Sequence, residues 1–233
     1  MMLWLPPLCF LAFALNEIAN PRGAFLGRVL WKGDPGGVAL TFDDGPHPEH
    51  TPQVFDILDR YSVKASFFVI GRQVRKHGHL VEEGARRGHL LGNHTQNHFR
   101  GMNFLPIARM RREIGDCQDE LEQRIGYRPR FYRQPAGFRN PRIFGILRQY
   151  GLYLTGWQAR AFDTQRRDAD PIAAAILRRV RPGGVILLHD GSDSRNDDRK
   201  PTLKALPAII QGLKDRGMEF YTLDRLFGME KSL

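Results

Sequence analysis

The segment from Val38 to Pro46, with the sequence VALTFDDGP, decides how the rest of the chain is interpreted. Its first half is a short apolar run between a pair of glycines and a Gly-Pro turn, a pattern typical of a buried β-strand. Two aspartates, Asp43 and Asp44, come where that strand ends. Neighbouring side chains point to opposite faces within a strand, but a following turn can direct both carboxylates into one cavity.

Two carboxylates in one cavity need compensation for their charge. Either the pKa of one of them shifts, or a cation takes part of the charge and leaves the other carboxylate to act as a base. The simpler alternative is that Asp43 and Asp44 only cap the next element. The first interpretation predicts further metal ligands downstream.

Two histidines four residues apart are the candidate ligands. His94 and His98 lie in the sequence LGNHTQNH, and their spacing predicts that both imidazoles lie on one side of a helical turn. With Asp44 they make a set of two histidines and one carboxylate. Three protein ligands leave a coordination position for water, as in catalytic zinc sites, although iron or cobalt suits the same ligands.

Two further motifs complete the pattern. Arg133–Gly137 has the sequence RQPAG, and Val185–Asp190 has the sequence VILLHD, an apolar strand that ends in polar residues. In order, TFDDGP, HxxxH, RxPxG, a late aspartate and LLH resemble the polysaccharide deacetylases of the NodB-homology type, carbohydrate esterase family 4. The resemblance covers about Gly36 to Leu226, and five motifs in one order make it specific.

This resemblance implies a metal-dependent hydrolase that removes N- or O-linked acetyl groups from a glycan such as chitin, peptidoglycan or xylan. The implied metal ligands are Asp44, His94 and His98, and the implied cofactor is a divalent metal, first of all Zn²⁺, with Co²⁺ or another transition metal as alternatives.

The remaining site residues are implied in the same way. Asp43 is the expected base for a nucleophilic water, and His189 is the expected acid for the leaving nitrogen. The resemblance also implies that Arg133 holds Asp43 ionised and that Asp163 hydrogen-bonds His189 and raises its pKa. The implied substrate-binding residues are Leu187, for the acetyl methyl group, and Pro135 and Ala136 of the RxPxG motif.

The chain departs from the family pattern at three positions. Many relatives have a tyrosine where this chain has Ala136, so the backbone N–H for the oxyanion is kept but an aromatic wall is lost. Arg160 stands where the family often has a carboxylate, and Thr164 stands where a tryptophan often follows the aspartate. Asp163 therefore has the least motif support of the assigned residues.

Alternating strands and helices predict the fold class. The strands after Val38–Phe42 are predicted at residues 65–70, 90–93, 131–133, 153–157, 185–188 and 219–222. The helices are predicted at residues 51–61, 73–87 (as one or two short helices), 106–124, 141–150, 170–180 and 202–216, with Thr51 as a helix cap. This order predicts an α/β protein with an irregular (β/α) barrel of about seven parallel strands. The motifs follow strand ends, where barrels of this kind build their active sites.

Composition limits the partners. The formal net charge is +10, which favours anionic partners such as an acidic glycan, a lipid phosphate or a membrane face. The sequence has no zinc knuckle or RNA-binding signature, so nucleic acid is not expected. The expected partner is an acetylated glycan, with anionic and lipid-linked glycans among the options. Cys9 and Cys117 form no CxxC pattern and are expected to be free thiols.

We predict three regions: an N-terminal apolar segment and approach loop at residues 1–35, a catalytic domain at 36–228 and a tail at 229–233. The apolar run Leu3–Leu15 is short for a membrane span and contains two prolines, and no basic residues open it as in a secretory signal. A signal, the remnant of an anchor and an arm packed on the barrel all remain open. An extracytoplasmic or membrane-associated location is slightly favoured over a cytoplasmic one.

Two other classes of function remain open. One is an amidohydrolase that deacylates or deformylates a lipid-linked sugar or a small amide, and the other is a non-catalytic glycan-binding module. Trp157 is interpreted as a core residue, and the polar loop Gly191–Lys200 is expected on the substrate rim. The other histidines after the first strand are expected at the surface or in loops: His47, His50, His77, His79 and His89.

Overall fold

The computed structural model describes residues 27–138, 140–192 and 198–229. Most of the N-terminal apolar segment, including Cys9, the middle of the loop that follows His189 and most of the predicted tail lie outside these ranges. Within the ranges, none of the helices combines the length and apolar character needed to cross a membrane.

Eight parallel strands form a curled sheet in the described part of the chain. They are β1 (Gly37–Gly45), β2 (Ser66–Val69), β3 (Leu90–Asn93), β4 (Phe131–Tyr132), β5 (Tyr153–Leu154), β6 (Ala159–Arg160), β7 (Val185–His189) and β8 (Glu219–Phe220). Seven strands follow the spatial order β5-β4-β3-β2-β1-β7-β6, and β8 pairs separately with the start of β1. The predicted irregular barrel of about seven parallel strands is confirmed.

Helices alternate with these strands. They are α1 (His50–Arg60), α2 (Gly71–Arg86), α3 (Ile107–Ile125), α4 (Ile143–Gln149), α5 (Ala169–Arg179), α6 (Lys200–Lys214) and α7 (Leu223–Leu226). In α2, His77 leaves the helical region with φ −129° and ψ 38°, which agrees with the prediction of one or two short helices there.

Strand β1 lies at the centre of the sheet. It pairs with β2 on one side and with β7 on the other, and all of its residues are buried. A parallel strand that is covered on both faces has a continuous apolar sequence, which explains why β1 was predictable from the sequence. Its register places Asp43 directly beside His189 at the end of β7.

The two faces of β1 contact different parts of the core. Leu40 and Phe42 belong to the large apolar cluster under the outer helices, where the rings of Phe42 and Phe67 lie 5.1 Å apart. Ala39 points the other way, into an inner cluster that includes Leu187. Because side chains alternate along a strand, Thr41 and Asp43 also face this inner side.

A segment before β1 fills the gap between two strands of the curl. The N–H of Leu30 donates to the carbonyl of Leu154 in β5, the strand that pairs with β4 on its other side. On the opposite side of the segment, the N–H of Val185 in β7 donates to the carbonyl of Trp31. Leu30 also forms a parallel bridge with Thr155.

One predicted strand and one predicted cap are wrong. Residues 153–157 were expected as a single strand, but β5 ends at Leu154 and a separate strand, β6, begins at Ala159. The carbonyl groups of Thr155 and Gly156 bind the guanidinium of Arg133, so they are not available to a strand ladder. Helix α1 begins one residue before Thr51, whose hydroxyl accepts the N–H of His47 instead of capping the helix.

Two of the histidines expected at the surface or in loops are buried. His50 begins α1, contrary to that prediction, whereas His89 lies in the loop before β3, as predicted, although it is buried there. His50 is 5% exposed and His89 is 3% exposed. The ring of His89 stacks on Phe55 at 5.1 Å, and its Nδ1 accepts the backbone N–H of Ala65 at 3.3 Å. The sequence did not reveal the burial of His89 because its aromatic contacts, Phe55 and Phe67, come from other elements of the fold.

Candidate active site

A cavity of about 350 Å³ opens where the strands end. Strand β1 brings Asp43 and Asp44 to it, and β7 brings Leu187 and His189. Since all strands of the sheet are parallel, their carboxyl ends meet at one edge, and residues far apart in sequence become neighbours there.

The candidate metal ligands lie together in this cavity. The ligand atoms of Asp44, His94 and His98 all lie within 4.8 Å of one another. Nε2 of His98 is 3.2 Å from Oδ1 of Asp44, and Nε2 of His94 is 3.4 Å from the same oxygen. All three residues are buried, so the structure brings together the three ligands that the sequence proposed.

The two histidines converge by a different route from the predicted one. His94 and His98 lie in an irregular segment after β3, and the prediction of a helical turn is wrong. Thr95 and His98 adopt positive φ angles of 68° and 54°. The N–H of His98 donates to Oγ1 of Thr95, and the N–H of Thr95 donates to Oδ1 of Asn93. Short polar side chains thus replace helical hydrogen bonds in shaping this turn.

A backbone turn brings Asp44 into the same cavity as Asp43. Asp44 has φ 72°, a left-handed conformation that aspartate tolerates better than most residues. The pairing of β1 with β2 shifts register between Asp43 and Gly45, which ends the strand's alternation. Gly45 is needed there because a Cβ atom would lie 2.4 Å from Oδ2 of Asp190.

The three ligands fit a divalent cation. Nδ1 of His94 lies 2.8 Å from the carbonyl oxygen of Arg133, so Nδ1 carries the hydrogen and Nε2 presents its lone pair towards Asp44. Oδ1 of Asp44 is buried and has no hydrogen-bond partner among the described residues. Two imidazoles and an anionic oxygen directed at one point are the donor set of a mononuclear transition-metal site.

The electrostatics of the cluster agree with this fit. Burial raises the pKa of Asp44, but the nearby histidines outweigh burial and hold its pKa well below the ordinary range. Burial lowers the pKa of His94, but Asp43 and Asp44 outweigh it and raise the pKa. The raised pKa of His94 reflects the negative charge of the two aspartates, and the lowered pKa of Asp44 reflects its attraction to the histidines, so protons and a metal ion compete for the same atoms.

Asp43 is fixed by a buried arginine. Nη1 of Arg133 donates to Oδ1 of Asp43 at 2.7 Å and to Oγ1 of Thr41 at 2.7 Å. The guanidinium also lies over the ring of Phe68, with 4.1 Å between its carbon and the ring centroid. The second oxygen of Asp43, Oδ2, lies 3.8 Å from Nε2 of His94, so it faces the metal-ligand cluster.

His189 is held by Asp163. Nδ1 of His189 lies 2.9 Å from Oδ1 of Asp163, and Oδ2 of Asp163 accepts both the backbone N–H of His189 and the hydroxyl of Thr202. Burial lowers the pKa of His189, but Asp163, followed by the charges of Asp44 and Asp43, raises it to about 9. The structure therefore pairs the two residues as the sequence resemblance implied, despite the altered motif around Asp163.

The three candidate substrate-binding residues have different positions. Leu187 and Ala136 line the cavity, whereas Pro135 is buried in a short 3₁₀ turn and is not among the described lining residues. The turn packs tightly, since a Cβ atom on Gly137 would lie 2.2 Å from the ring of Trp157. Pro135 therefore shapes the turn that carries Ala136 and does not itself face the cavity.

The family model described as polysaccharide deacetylase matches residues 32–155. The chain belongs to the polysaccharide deacetylase family. It is of the NodB-homology type, in carbohydrate esterase family 4, as the order of motifs indicated.

Individual relatives cover most of the chain. It is 34% identical over 204 residues to a peptidoglycan-N-acetylglucosamine deacetylase of Bacillus cereus, a match that covers 86% of this chain and 93% of that protein. It is 33% identical over 197 residues to a chitooligosaccharide deacetylase of Bradyrhizobium sp., covering 81% and 90%. Among solved structures, a peptidoglycan N-acetylglucosamine deacetylase in complex with an N-hydroxybenzamide derivative is similar with a TM-score of 0.82 and 32% identity, covering 87% of this chain and 94% of that one.

Several lining residues of this polysaccharide deacetylase were not identified from its sequence. Gln134 accepts the hydroxyl of Tyr132 and donates to Oδ1 of Asn103, and its place inside the RQPAG motif was the available signal. Trp157 is 7% exposed, as a core residue should be, yet part of it lines the cavity. The other lining residues that the sequence did not identify include Arg100, Arg160, Phe162, Thr164 and Gln165, whereas Ser192 and Arg199 belong to the loop Gly191–Lys200 that was expected on the substrate rim.

Asp190 is a further buried residue behind the site. Its Oδ2 accepts the hydroxyl of Thr51 at 2.5 Å, and its N–H donates to the carbonyl of Asp43 at 3.2 Å. Burial raises the pKa of Asp190 to about 7. Through these contacts Asp190 connects the end of β7 to the turn that carries Asp43 and Asp44.

Proposed function

We propose that this chain is a metal-dependent hydrolase that removes acetyl groups, N- or O-linked, from a glycan. The observation that carries this proposal is the convergence, in one cavity, of a metal-ligand cluster with two oriented acid–base pairs. The cluster is Asp44, His94 and His98, and the pairs are Asp43–Arg133 and Asp163–His189. All of these residues belong to the proposed catalytic domain, residues 36–228.

The cluster would hold one divalent cation, with Zn²⁺ as the first candidate and Co²⁺ or another transition metal as alternatives. Two imidazoles and one carboxylate are a ligand set that catalytic zinc sites use. A cation bound there would supply Lewis acidity, which polarises the acetyl carbonyl and lowers the pKa of a nucleophilic water.

Asp43 is the proposed general base. Arg133 occupies its Oδ1, so Oδ2 is the oxygen that faces the cluster and can accept a proton from water. Because the arginine is charged and buried beside it, the carboxylate is held in one orientation before the substrate arrives. Arg133 acts in this proposal as a positioning residue.

His189 is the proposed general acid. Its raised pKa keeps the imidazole protonated at neutral pH, and Asp163 engages Nδ1, so Nε2 is left to donate a proton. When the carbon–nitrogen bond of the acetamide breaks, that proton goes to the leaving amine, while the oxygen from water stays with the acetyl carbon as acetate. Asp163 orients the acid and stabilises its charged form.

The cavity wall offers contacts for a small acyl group. Leu187 provides an apolar surface for the acetyl methyl group, and the backbone N–H of Ala136 is the proposed donor to the oxyanion. Relatives named for peptidoglycan N-acetylglucosamine and for chitooligosaccharides support N-acetylglucosamine residues as the acetylated sugars.

The experiment that tests this proposal is acetate release from acetylated glycans by protein stripped of metal and then reloaded with Zn²⁺ or Co²⁺. A panel of chitooligosaccharides, peptidoglycan strands and acetylated xylan would rank the glycans. Acetate that appears only after reloading is the expected result. The Asp43→Asn variant, reloaded in the same way, is the matched control because it keeps all three metal ligands.

Other results would favour the other function classes. Stoichiometric metal binding without acetate release from any glycan would favour hydrolysis of a lipid-linked or small amide. Failure to bind any divalent metal would contradict the catalytic proposal and leave a glycan-binding module.

A further inference from the structure

The cavity has a cationic residue on an aromatic support at its edge. The guanidinium carbon of Arg160 lies 4.0 Å from the ring centroid of Phe162 and 5.8 Å from the ring of Trp157. All three side chains line the cavity. Stacking on an aromatic face fixes the plane of a guanidinium and leaves its N–H groups at the edge free to bind a ligand.

The sheet register places Arg160 beside the proposed catalytic residues. Arg160 in β6 pairs with Leu187 in β7, and Leu187 pairs with Thr41 in β1. Residues paired across a parallel sheet share a face, and His189 lies two positions beyond Leu187 on that same face, ~6–7 Å along the strand. Arg160 is thus one strand to the side of His189, and both side chains line the cavity.

The charge of Arg160 is not compensated by the described residues. None of them accepts a hydrogen bond from its guanidinium or forms an ion pair with it. Another cation affects it instead: burial lowers the pKa of Arg160, and the charge of Arg179 lowers it further. Nη1 of Arg179 also donates to the backbone carbonyl of Arg160, so this second positive charge lies next to the main chain of Arg160.

The carboxylates that line the cavity contact residues other than Arg160. Oδ1 of Asp43 binds Arg133, and Asp163 binds His189, while Asp44 belongs to the metal-ligand cluster. No carboxylate is therefore left among these lining acids to neutralise Arg160. An uncompensated guanidinium beside a cavity attracts an anion from solution.

The backbone at Phe162 is strained in the way that builds this support. Phe162 has φ 55°, a left-handed conformation that is unfavourable for a bulky side chain. Phe162 is 39% exposed, although an apolar side chain would gain from burial. The unfavourable backbone conformation and the exposure of Phe162 occur where its ring contacts the guanidinium of Arg160. We therefore interpret the contact between the two side chains as a specific feature of the cavity edge.

We infer that Arg160 is a specificity-determining residue that binds an anionic substituent, a carboxylate or a phosphate, carried by the glycan next to the acetylated sugar. This inference rests on the proposed function, because it assumes that the cavity deacetylates a glycan. A neutral sugar would be expected to stack directly on the rings, but the guanidinium already covers the face of Phe162. The net charge of +10 favours the same class of substrate.

The test measures kcat and KM for acetate release by the metal-loaded enzyme from four tetrasaccharides. The first is neutral and contains only N-acetylglucosamine. The second alternates N-acetylglucosamine with N-acetylmuramic acid and carries free lactyl carboxylates. The third is the same compound with lactyl carboxamides, which keeps its shape and removes its charge. The fourth is the neutral tetrasaccharide with one phosphate monoester.

The expected result is a kcat/KM on the order of ten- to a hundred-fold higher for the carboxylate compound than for its carboxamide, mainly through KM, as a charge-assisted hydrogen bond provides. Arg160→Gln should bring this ratio close to one, and Arg160→Lys should retain part of it. Arg148→Gln, which removes an equal charge from an exposed position on α4, should keep the wild-type ratio. A preference shown by the phosphate compound alone would support the inference and identify the anion as a phosphate.

Three results would overturn the inference. A wild-type ratio near one for both charged compounds would show that no anion is recognised. An unchanged ratio in Arg160→Gln, with the thermal unfolding temperature preserved, would assign the recognition to another residue. Acetate release from none of the four compounds would contradict the proposed function itself, and the inference with it, which separates that failure from the first two.

Discussion

Nδ1 of His189 lies 2.9 Å from Oδ1 of Asp163, and the other oxygen of this carboxylate accepts the backbone N–H of the same histidine. One buried aspartate thus fixes both the ring and the main chain at the end of β7. Asp163 is also the first of the residues that raise the pKa of His189 against the opposing effect of burial. The charge of the proposed acid therefore depends on Asp163.

Asp163→Asn should move the alkaline limb of the kcat/KM profile to lower pH. The raised pKa of about 9 keeps His189 protonated up to that pH, and loss of the neighbouring charge should lower the limb by on the order of one to two pH units. Activity at pH 8 should fall more than activity at pH 6. Asp168→Asn, at an exposed aspartate nearby, is the control. An alkaline limb at the same pH in both variants would contradict the role of Asp163.

Asp43→Asn and His94→Ala should separate catalysis from metal binding. Asp43→Asn removes the proposed base but none of the ligands, so turnover should fall by roughly 10²- to 10⁴-fold while metal content stays stoichiometric. His94→Ala removes a ligand and should lose both metal and turnover. Elemental analysis after dialysis, with acetate release on the same samples, gives both quantities. His79→Ala, at an exposed histidine, should change neither.

Asp43→Asn with near-normal turnover would contradict the assignment of the base. A His94→Ala protein that still bound one metal ion per chain would contradict the ligand assignment, because the remaining pair of residues offers too few donors for a tight site.

Arg133→Met should destabilise the metal-free protein by roughly 3–5 kcal/mol. The substitution leaves the carboxylate of Asp43, which is 4% exposed, without its buried partner, and an unpaired buried charge is strongly unfavourable. The double variant Asp43→Asn/Arg133→Met should regain part of that stability because the amide carries no charge. Urea unfolding of the four proteins in a chelating buffer measures the coupling. Additive effects of the two substitutions would show that the pair is not coupled.

Much of the fold was predictable because the relevant signals are local. Buried parallel strands produce continuous apolar runs, so β1 and β7 were visible in the sequence. Strand β6 was missed because it contains only Ala159 and Arg160, too short for any periodic signal. Its position depends on Arg133, which binds the carbonyl groups of Thr155 and Gly156 from a distant part of the chain.

The candidate site likewise contains residues whose positions were predictable from the sequence and others whose positions were not. Asp43 and Asp44 lie at the end of β1 and His189 at the end of β7, so their convergence was predictable from strand order. The backbone conformation between His94 and His98 was not predictable, because it depends on positive φ angles at Thr95 and His98 and not on helical periodicity. Arg160 and Phe162 were visible in the sequence only as neighbours of Asp163, and only the fold shows that both side chains line the cavity.

A buried histidine away from the cavity should make stability depend on pH. Burial, followed by the charge of Lys64, lowers the pKa of His89 to about 4, against about 6.5 in an unfolded chain. The folded state therefore binds a proton less readily than the unfolded state. The stabilisation is fully present above pH 6.5 and is lost as the pH falls towards 4, by about 3 kcal/mol over that range.

His89→Asn should flatten this dependence. Asparagine does not titrate, and its side-chain oxygen can accept the N–H of Ala65 in place of Nδ1. The measurement is the free energy of unfolding in urea at intervals between pH 4.5 and 8, in a chelating buffer so that metal binding makes no contribution. The variant should be less stable than the wild type at pH 8, because the stacking on Phe55 is lost, but the difference should shrink as the pH falls. His79→Asn, at an exposed position, should keep the wild-type slope. Parallel curves for His89→Asn and the wild type would mean that the buried imidazole titrates as it does in water.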